Sequence, residues 1–208
     1  MPANTARSVM DSGSYFTANN GATGVATAAA PTSFSDVLPL FTILNNNANN
    51  TGRSIYLDWI RGYNTAAGTA GVDLRLKLEL DRIAPTGGTL CTSYLTNAND
   101  PYVSSGAAVR ILPTGIAATA NMRLLIGQAI VIPTQGAVFT VGTEFNLKFG
   151  GLDGYVSPSV ATASQAAITV RQMPPVVIAP GWCLQVPFLA TSQSAASSWA
   201  FEFGWVEA

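Results

Sequence analysis

The 208-residue chain is predicted to be all-β: an antiparallel two-layer β-sandwich of jelly-roll type, preceded by an extended N-terminal arm. Three observations carry this. Apolar residues recur at every second position in several short runs, the spacing that puts them on one face of a strand. Turn residues (Gly, Pro, Asn, Asp) punctuate those runs. No run holds the three-to-four spacing of an amphipathic helix. Nine or ten short strands fit a two-layer antiparallel sandwich or a barrel, and eight of them would fill a jelly roll. The absence of any fixed repeat length argues against a propeller or a solenoid.

Residues 1–36 are assigned to the arm and 37–208 to the sandwich domain. Met1–Ser35 is rich in Ala, Thr, Asn, Gly and Ser and carries few large apolar side chains, so it cannot bury enough surface to fold alone. It reads either as a disordered tail or as an arm ordered on a neighbouring subunit, which would anchor through Tyr15, Phe16 and Phe34, the candidate partner-binding residues. Val37–Leu44 is the first apolar run, and Pro39 inside it marks an edge strand or an irregular entry. Ser54–Tyr63 reads as a strand with Ile55, Leu57 and Trp59 on one face and Tyr56, Asp58 and Ile60 on the other.

Val72–Leu80 alternates most cleanly. Val72, Leu74, Leu76, Leu78 and Leu80 face one way; Asp73, Arg75, Lys77 and Glu79 face the other, and Asp81 extends the charged row. One buried and one solvated face is the mark of an antiparallel sheet. Thr89–Leu95 and Ala107–Leu112 are short strands. Asn121–Ile132 is a long apolar run interrupted by Gly127, either one bent strand or two. Ala137–Val141, Glu144–Phe149 and Ala166–Gln172 complete the series, with a long loop over 150–165. In the terminal stretch, Trp182, Leu184, Val186 and Phe188 share a face, as do Trp199, Phe201, Phe203 and Trp205. Pro180-Gly181 supplies a turn before the first of these sets. Aromatic rings bury the most area per residue, so these two runs are the expected floor of the core.

The chemistry is constrained as sharply. The chain has no histidine, which removes Ser-His-Asp and Cys-His nucleophiles and the common metal sites. No glycine-rich piece runs into Lys-Ser or Lys-Thr as a phosphate loop would, and Gly150-Gly151 opens no helix. Of the carboxylates Asp58, Asp73, Glu79, Asp81, Glu144, Asp153 and Glu202, spacing singles out no pair for acid–base work. The expectation is therefore a non-enzyme without cofactor. A net charge of −1 gives no basic excess for nucleic acid. No apolar run reaches membrane-spanning length and no secretory leader stands at the N-terminus. Cys91 and Cys183 are too few for a disulfide framework; they would pair only if the fold brought their Cα atoms within about 7 Å. Only 10% of residues are charged, against about 25% in ordinary soluble domains. A surface that poor in charge suits a protein packed against other subunits.

Two sets of segments carry a resemblance. One is Ile55-Tyr56-Leu57-Asp58-Trp59-Ile60 with the run Leu74–Arg82 ending Leu80-Asp81-Arg82. The other is Val177-Ile178-Ala179-Pro180-Gly181-Trp182 with Phe201-Glu202-Phe203-Gly204-Trp205-Val206-Glu207. In these the chain, from about Leu40 onward, resembles structural proteins of tailed-bacteriophage virions, in particular jelly-roll decoration (cement) proteins of the capsid. The resemblance implies a small, usually trimeric sandwich on the outside of an icosahedral shell, clamping neighbouring capsomers. Its implied partners are further copies of itself, as a homotrimer, and the major capsid protein; its implied location is the virion surface. It transfers no residue-level site. The alternative expectation is a receptor- or glycan-binding module of a phage head fibre, spike or tail, marked by exposed aromatics beside acids or amides around Tyr94–Tyr102.

Overall fold

A computed structural model describes residues 14–21, 25–26, 34–47, 52–66, 74–96, 104–114, 116–117, 119–132, 141–150, 168–190 and 197–208. Among them every regular element is a strand, and the strands form two sheets. The first runs β11 (Ile168–Met173), β10 (Glu144–Phe149), β4 (Ile55–Ala66), β15 (Ser198–Glu207), β1 (Tyr15–Asn19) and β7 (Thr92–Leu95), with β12 (Val177–Ile178) also on β4 and β2 (Val25–Ala26) also on β15. The second runs β14 (Phe188–Ala190), β5 (Leu74–Asp81), β13 (Cys183–Val186), β3 (Phe41–Asn45), β8 (Ala107–Ile111) and β6 (Thr89–Leu90), with β9 (Arg123–Ile132) also on β5. Neighbours are antiparallel except β10 and β11, which run parallel.

The two sheets close on one apolar core. Trp199, Phe201, Phe203 and Trp205 all point inward from β15, as their two-residue spacing requires, and each is at most 1% exposed. From the opposite sheet Phe41 meets them, with ring centres 5.6 Å from Phe201 and 5.1 Å from Phe203. Phe145 and Phe16 extend the cluster at 5.7 Å from Trp199 and 6.1 Å from Trp205. Such offset and edge-on pairs add about 0.5–1.5 kcal/mol each beyond the area they bury. Leu74, Leu76, Leu78 and Leu80 face the same core from β5. Pro180-Gly181 makes the expected turn: the Trp182 N–H donates to the Ala179 carbonyl at 3.0 Å, and Gly181 takes φ 76°. Both cysteines are free and buried.

The structure departs from the sequence-based expectations in several places. Residues 15–19, assigned to an arm, form β1 between β15 and β7, so the sheet begins well before residue 37. Pro39 lies in the irregular entry to β3, as one of its two readings had it, and the edge-strand reading fails because β3 is internal, flanked by β13 and β8. The run 89–95 divides at Cys91: β6 pairs with β8 in one sheet and β7 with β1 in the other. Residues 123–132 agree with the single-strand reading of that run, with register irregularities along it. The charged face of β5 is half closed, with Glu79 and Asp81 fully buried. Asp81 accepts from the Thr119 N–H at 2.7 Å and from the Thr119 hydroxyl, which draws that segment across its end. Trp182 sits at the core's margin with the Arg82 and Arg123 guanidinium groups 5.4 and 4.5 Å from its ring centre. The expected strand at Ala137–Val141 falls, up to residue 140, outside the described residues. So do most of the 150–165 loop, Val72, Asp73 and Tyr102.

Candidate functional site

The outer face of the first sheet is built from cross-strand rows that the register fixes. Lys148, Trp59 and Gly204 align, as do Thr17 and Tyr94 beyond them. One step along, Asn146, Arg61, Glu202, Asn19 and Thr92 align. Glu144, Tyr63 and Ala200 form the next row, and Val177, Tyr56, Val206 and Tyr15 the row at the opposite end.

A bulge concentrates side chains here. Trp205 pairs with Leu57 while Gly204 pairs with Trp59, so Asp58 is an extra residue in β4. An extra residue resets the alternation. Trp59 therefore leaves the core face that simple alternation gives it and lies on the outer face with Tyr56 and Asp58. Its indole occupies the space above Gly204: a Cβ added there would stand 2.3 Å from Trp59 Nε1. The Trp59 indole N–H donates to the Tyr15 hydroxyl at 2.8 Å, and that hydroxyl donates to Asp58 Oδ2 at 2.5 Å. Burial, then the Asp58 carboxylate, push the Tyr15 hydroxyl's pKa well above the ordinary tyrosine range.

Arg61 is the electrostatic centre. It holds Glu144 in a two-point contact, Nε to Oε1 at 2.8 Å and Nη2 to Oε2 at 2.9 Å, and reaches Glu202 at 3.2 Å. The fork-to-fork bond with Glu144, reinforced by Glu202, holds the guanidinium more firmly protonated than usual. An open depression of about 460 Å³ lies beside it, lined by Asn19, Gly21, Arg61, Tyr63, Ala200, Phe201 and Glu202. Tyr56 (44%), Tyr63 (39%), Tyr94 (54%) and Val177 (44%) keep substantial exposure on this face. Tyrosine, tryptophan and arginine are among the residue types enriched where proteins meet.

The candidate partner-binding residues fall differently. Tyr15 is 8% and Phe16 1% exposed, one tied to Asp58 and Trp59 and the other stacked on Trp205, so neither presents a surface to a partner. The cause is their own alternation: Phe16 and Ala18 are two apart and fill the inner face of β1 like any core strand. Phe34 is half-buried ahead of β3 and belongs to neither sheet. The outer-face tyrosines carried a weak signal in the sequence. Tyr56 and Tyr63 flank the run that holds Trp59 and Arg61, but nothing in one strand shows which rows its neighbours complete.

Among the described residues no group of three His, Cys, Asp or Glu side chains is placed to hold a metal ion. Glu207, at the sheet's end, accepts from Ser105 Oγ at 2.5 Å, the Gly106 N–H at 3.0 Å and the Trp205 indole at 3.1 Å, which makes it a structural anchor. No family model, curated protein or solved structure compared with the chain matches it.

Proposed function

We propose that the chain is a non-enzymatic virion structural protein, a decoration (cement) protein that docks as a homotrimer on the outer surface of an icosahedral phage head and bridges neighbouring capsomers. The observation that carries this reading is the outer face of the first sheet, with its ordered rows of Tyr56, Trp59, Arg61 and Tyr63 on a broad and open surface. Strand pairing supports the jelly-roll part of it. Setting aside β2, β6–β8, β11 and β12, and counting β13 with β14, leaves eight strands. The first pairs with the last (β1·β15), the second with the seventh (β3·β13), the third with the sixth (β4·β10) and the fourth with the fifth (β5·β9). That nesting is what results when one long hairpin is rolled up. Docking by a trimer multiplies modest contacts, since each bound copy raises the effective concentration of the next.

The test is mass in solution followed by binding. Light scattering on the intact protein is expected to give the mass of three chains of 21.6 kDa. Tyr56→Glu with Tyr63→Glu is expected to yield a folded monomer that no longer co-sediments with phage heads lacking their outer proteins. A wild-type monomer that ignores such heads would overturn the reading.

The depression beside Tyr63 favours a second reading, a glycan-binding module, because it sets an exposed ring next to Glu202, Arg61 and Asn19. This is a different place from the 94–102 region, most of which lies outside the described residues. Under this reading a glycan array returns hits that Tyr63→Ala abolishes; an array without hits removes it.

A further inference from the structure

The outer face of the second sheet holds a dry polar row. Thr42 on β3, Gln185 on β13 and Glu79 on β5 stand opposite one another in register. All three are fully buried. The Thr42 hydroxyl, both ends of the Gln185 amide and Glu79 Oε2 lack a hydrogen bond. Beside Glu79, two residues back on the same strand, Lys77 directs its ammonium at two carboxylates. Nζ lies 2.7 Å from Asp36 Oδ1 and in ionic contact with Glu79. Asp36 sits in the turn before β3, so the contact joins a segment outside the sheets to the middle of β5.

We propose that Lys77 and Asp36 are joined by an isopeptide bond that the chain forms on itself, with Glu79 as the catalytic residue. An amine and a carboxyl group held in contact by a folded scaffold react as if enormously concentrated, and holding the reactants together is where most of the barrier is removed. The Glu79 side of the site is fully buried, and low polarity there disfavours charge separation, which brings the neutral amine and neutral acid nearer. The Lys77 ammonium gives a proton to the Asp36 carboxylate. The freed Nζ attacks Cγ of Asp36, forming the C–N bond. Glu79, resting as the carboxylate against Lys77, takes a proton from the attacking nitrogen and delivers it to the departing hydroxyl. The C–O bond breaks and water leaves past Asp36, whose side chain is 33% exposed. Ammonium plus carboxylate becomes amide plus water, Glu79 is regenerated, and no oxidant or co-reactant is consumed. Burial pushes the Glu79 carboxyl upward against the pull of Lys77, which suits a group that takes up a proton and gives it away again. Burial works against the Lys77 charge while Asp36 and Glu79 sustain it, so the resting pair is ionic and the bond forms slowly from it.

The bond is independent of whatever the outer face of the first sheet binds, and intact mass reads it directly. The denatured full-length chain is expected to weigh one water less than its sequence, and its digest to yield a branched peptide linking residues 36 and 77. Sequencing that branch separates it from a cyclised aspartyl-glycine such as Asp153-Gly154, which loses water too. Asp36→Ala and Glu79→Gln are expected to restore the full mass, the first of them at a partly exposed turn where folding is retained. A wild-type chain of full sequence mass overturns the proposal, as does a water loss that persists in Asp36→Ala. Linkage at wild-type rate in Glu79→Gln overturns the part given to Glu79.

Discussion

Two glycines show how a single missing Cβ shapes this protein. Gly62 and Gly204 lie in the adjacent strands β4 and β15, and each leaves a slot that an aromatic ring fills. At Gly62 the ring is Phe145, inside the core, where an added Cβ would stand 2.2 Å from a ring carbon. Phe145 is fully buried against Trp199 and Phe201 and has nowhere to retreat. Gly62→Ala is therefore expected to cost about 1–3 kcal/mol in urea unfolding, the range of overpacked cores. Tyr15 shows the reverse, a polar group whose partners make it useful. Its hydroxyl is held neutral in the fold, and its folded pKa is raised above that of the unfolded chain. The stability it contributes is fully present below about pH 10 and is lost as pH rises beyond that value. Tyr15→Phe is expected to lose about 1 kcal/mol at neutral pH and to flatten the decline above pH 10 in a pH series of unfolding curves.

At the scale of elements, β1 carries the heaviest consequence. It fills the gap between β15 and β7 and brings Phe16 onto Trp205. Removing residues 1–21 takes the strand away and bares the β15 edge, so cooperative thermal unfolding should vanish rather than survive in a trimmed core. The alternation of β15 and β5 made both strands legible, because a two-residue period needs only local information. β1 was hidden by its surroundings: five strand residues inside a stretch of Ala, Thr, Asn and Gly read as a tail. The bulge at Asp58 was invisible because one inserted residue leaves no trace in composition. It alone moved Trp59 from the core to the surface. The burial of Glu79 and Asp81 was missed for a related reason. Alternation tells which residues share a face, and what later covers that face depends on distant segments such as Thr119.

For the whole molecule, the two sheets are not equal. The second has its outward polar side chains closed over at Thr42, Gln185, Glu79 and Asp81, while the first leaves tyrosines and the Arg61 cluster in the open. Docking is accordingly expected on the first sheet. The fold class was legible because strand and turn signals repeat along the chain. Which sheet would be presented outward was not, since that follows from pairings between residues more than a hundred positions apart, as when β15 meets β1.

The position of β15 also bears on how the protein is made. It follows every other described strand, yet it lies in the interior of its sheet, between β1 and β4. A nascent polypeptide still missing residues 198–207 leaves β1 and β4 with nothing to zip them together. The sheet's two halves must wait, as unfinished borders, until synthesis has passed that point, and a ribosome stalled earlier should display a chain that proteases readily digest.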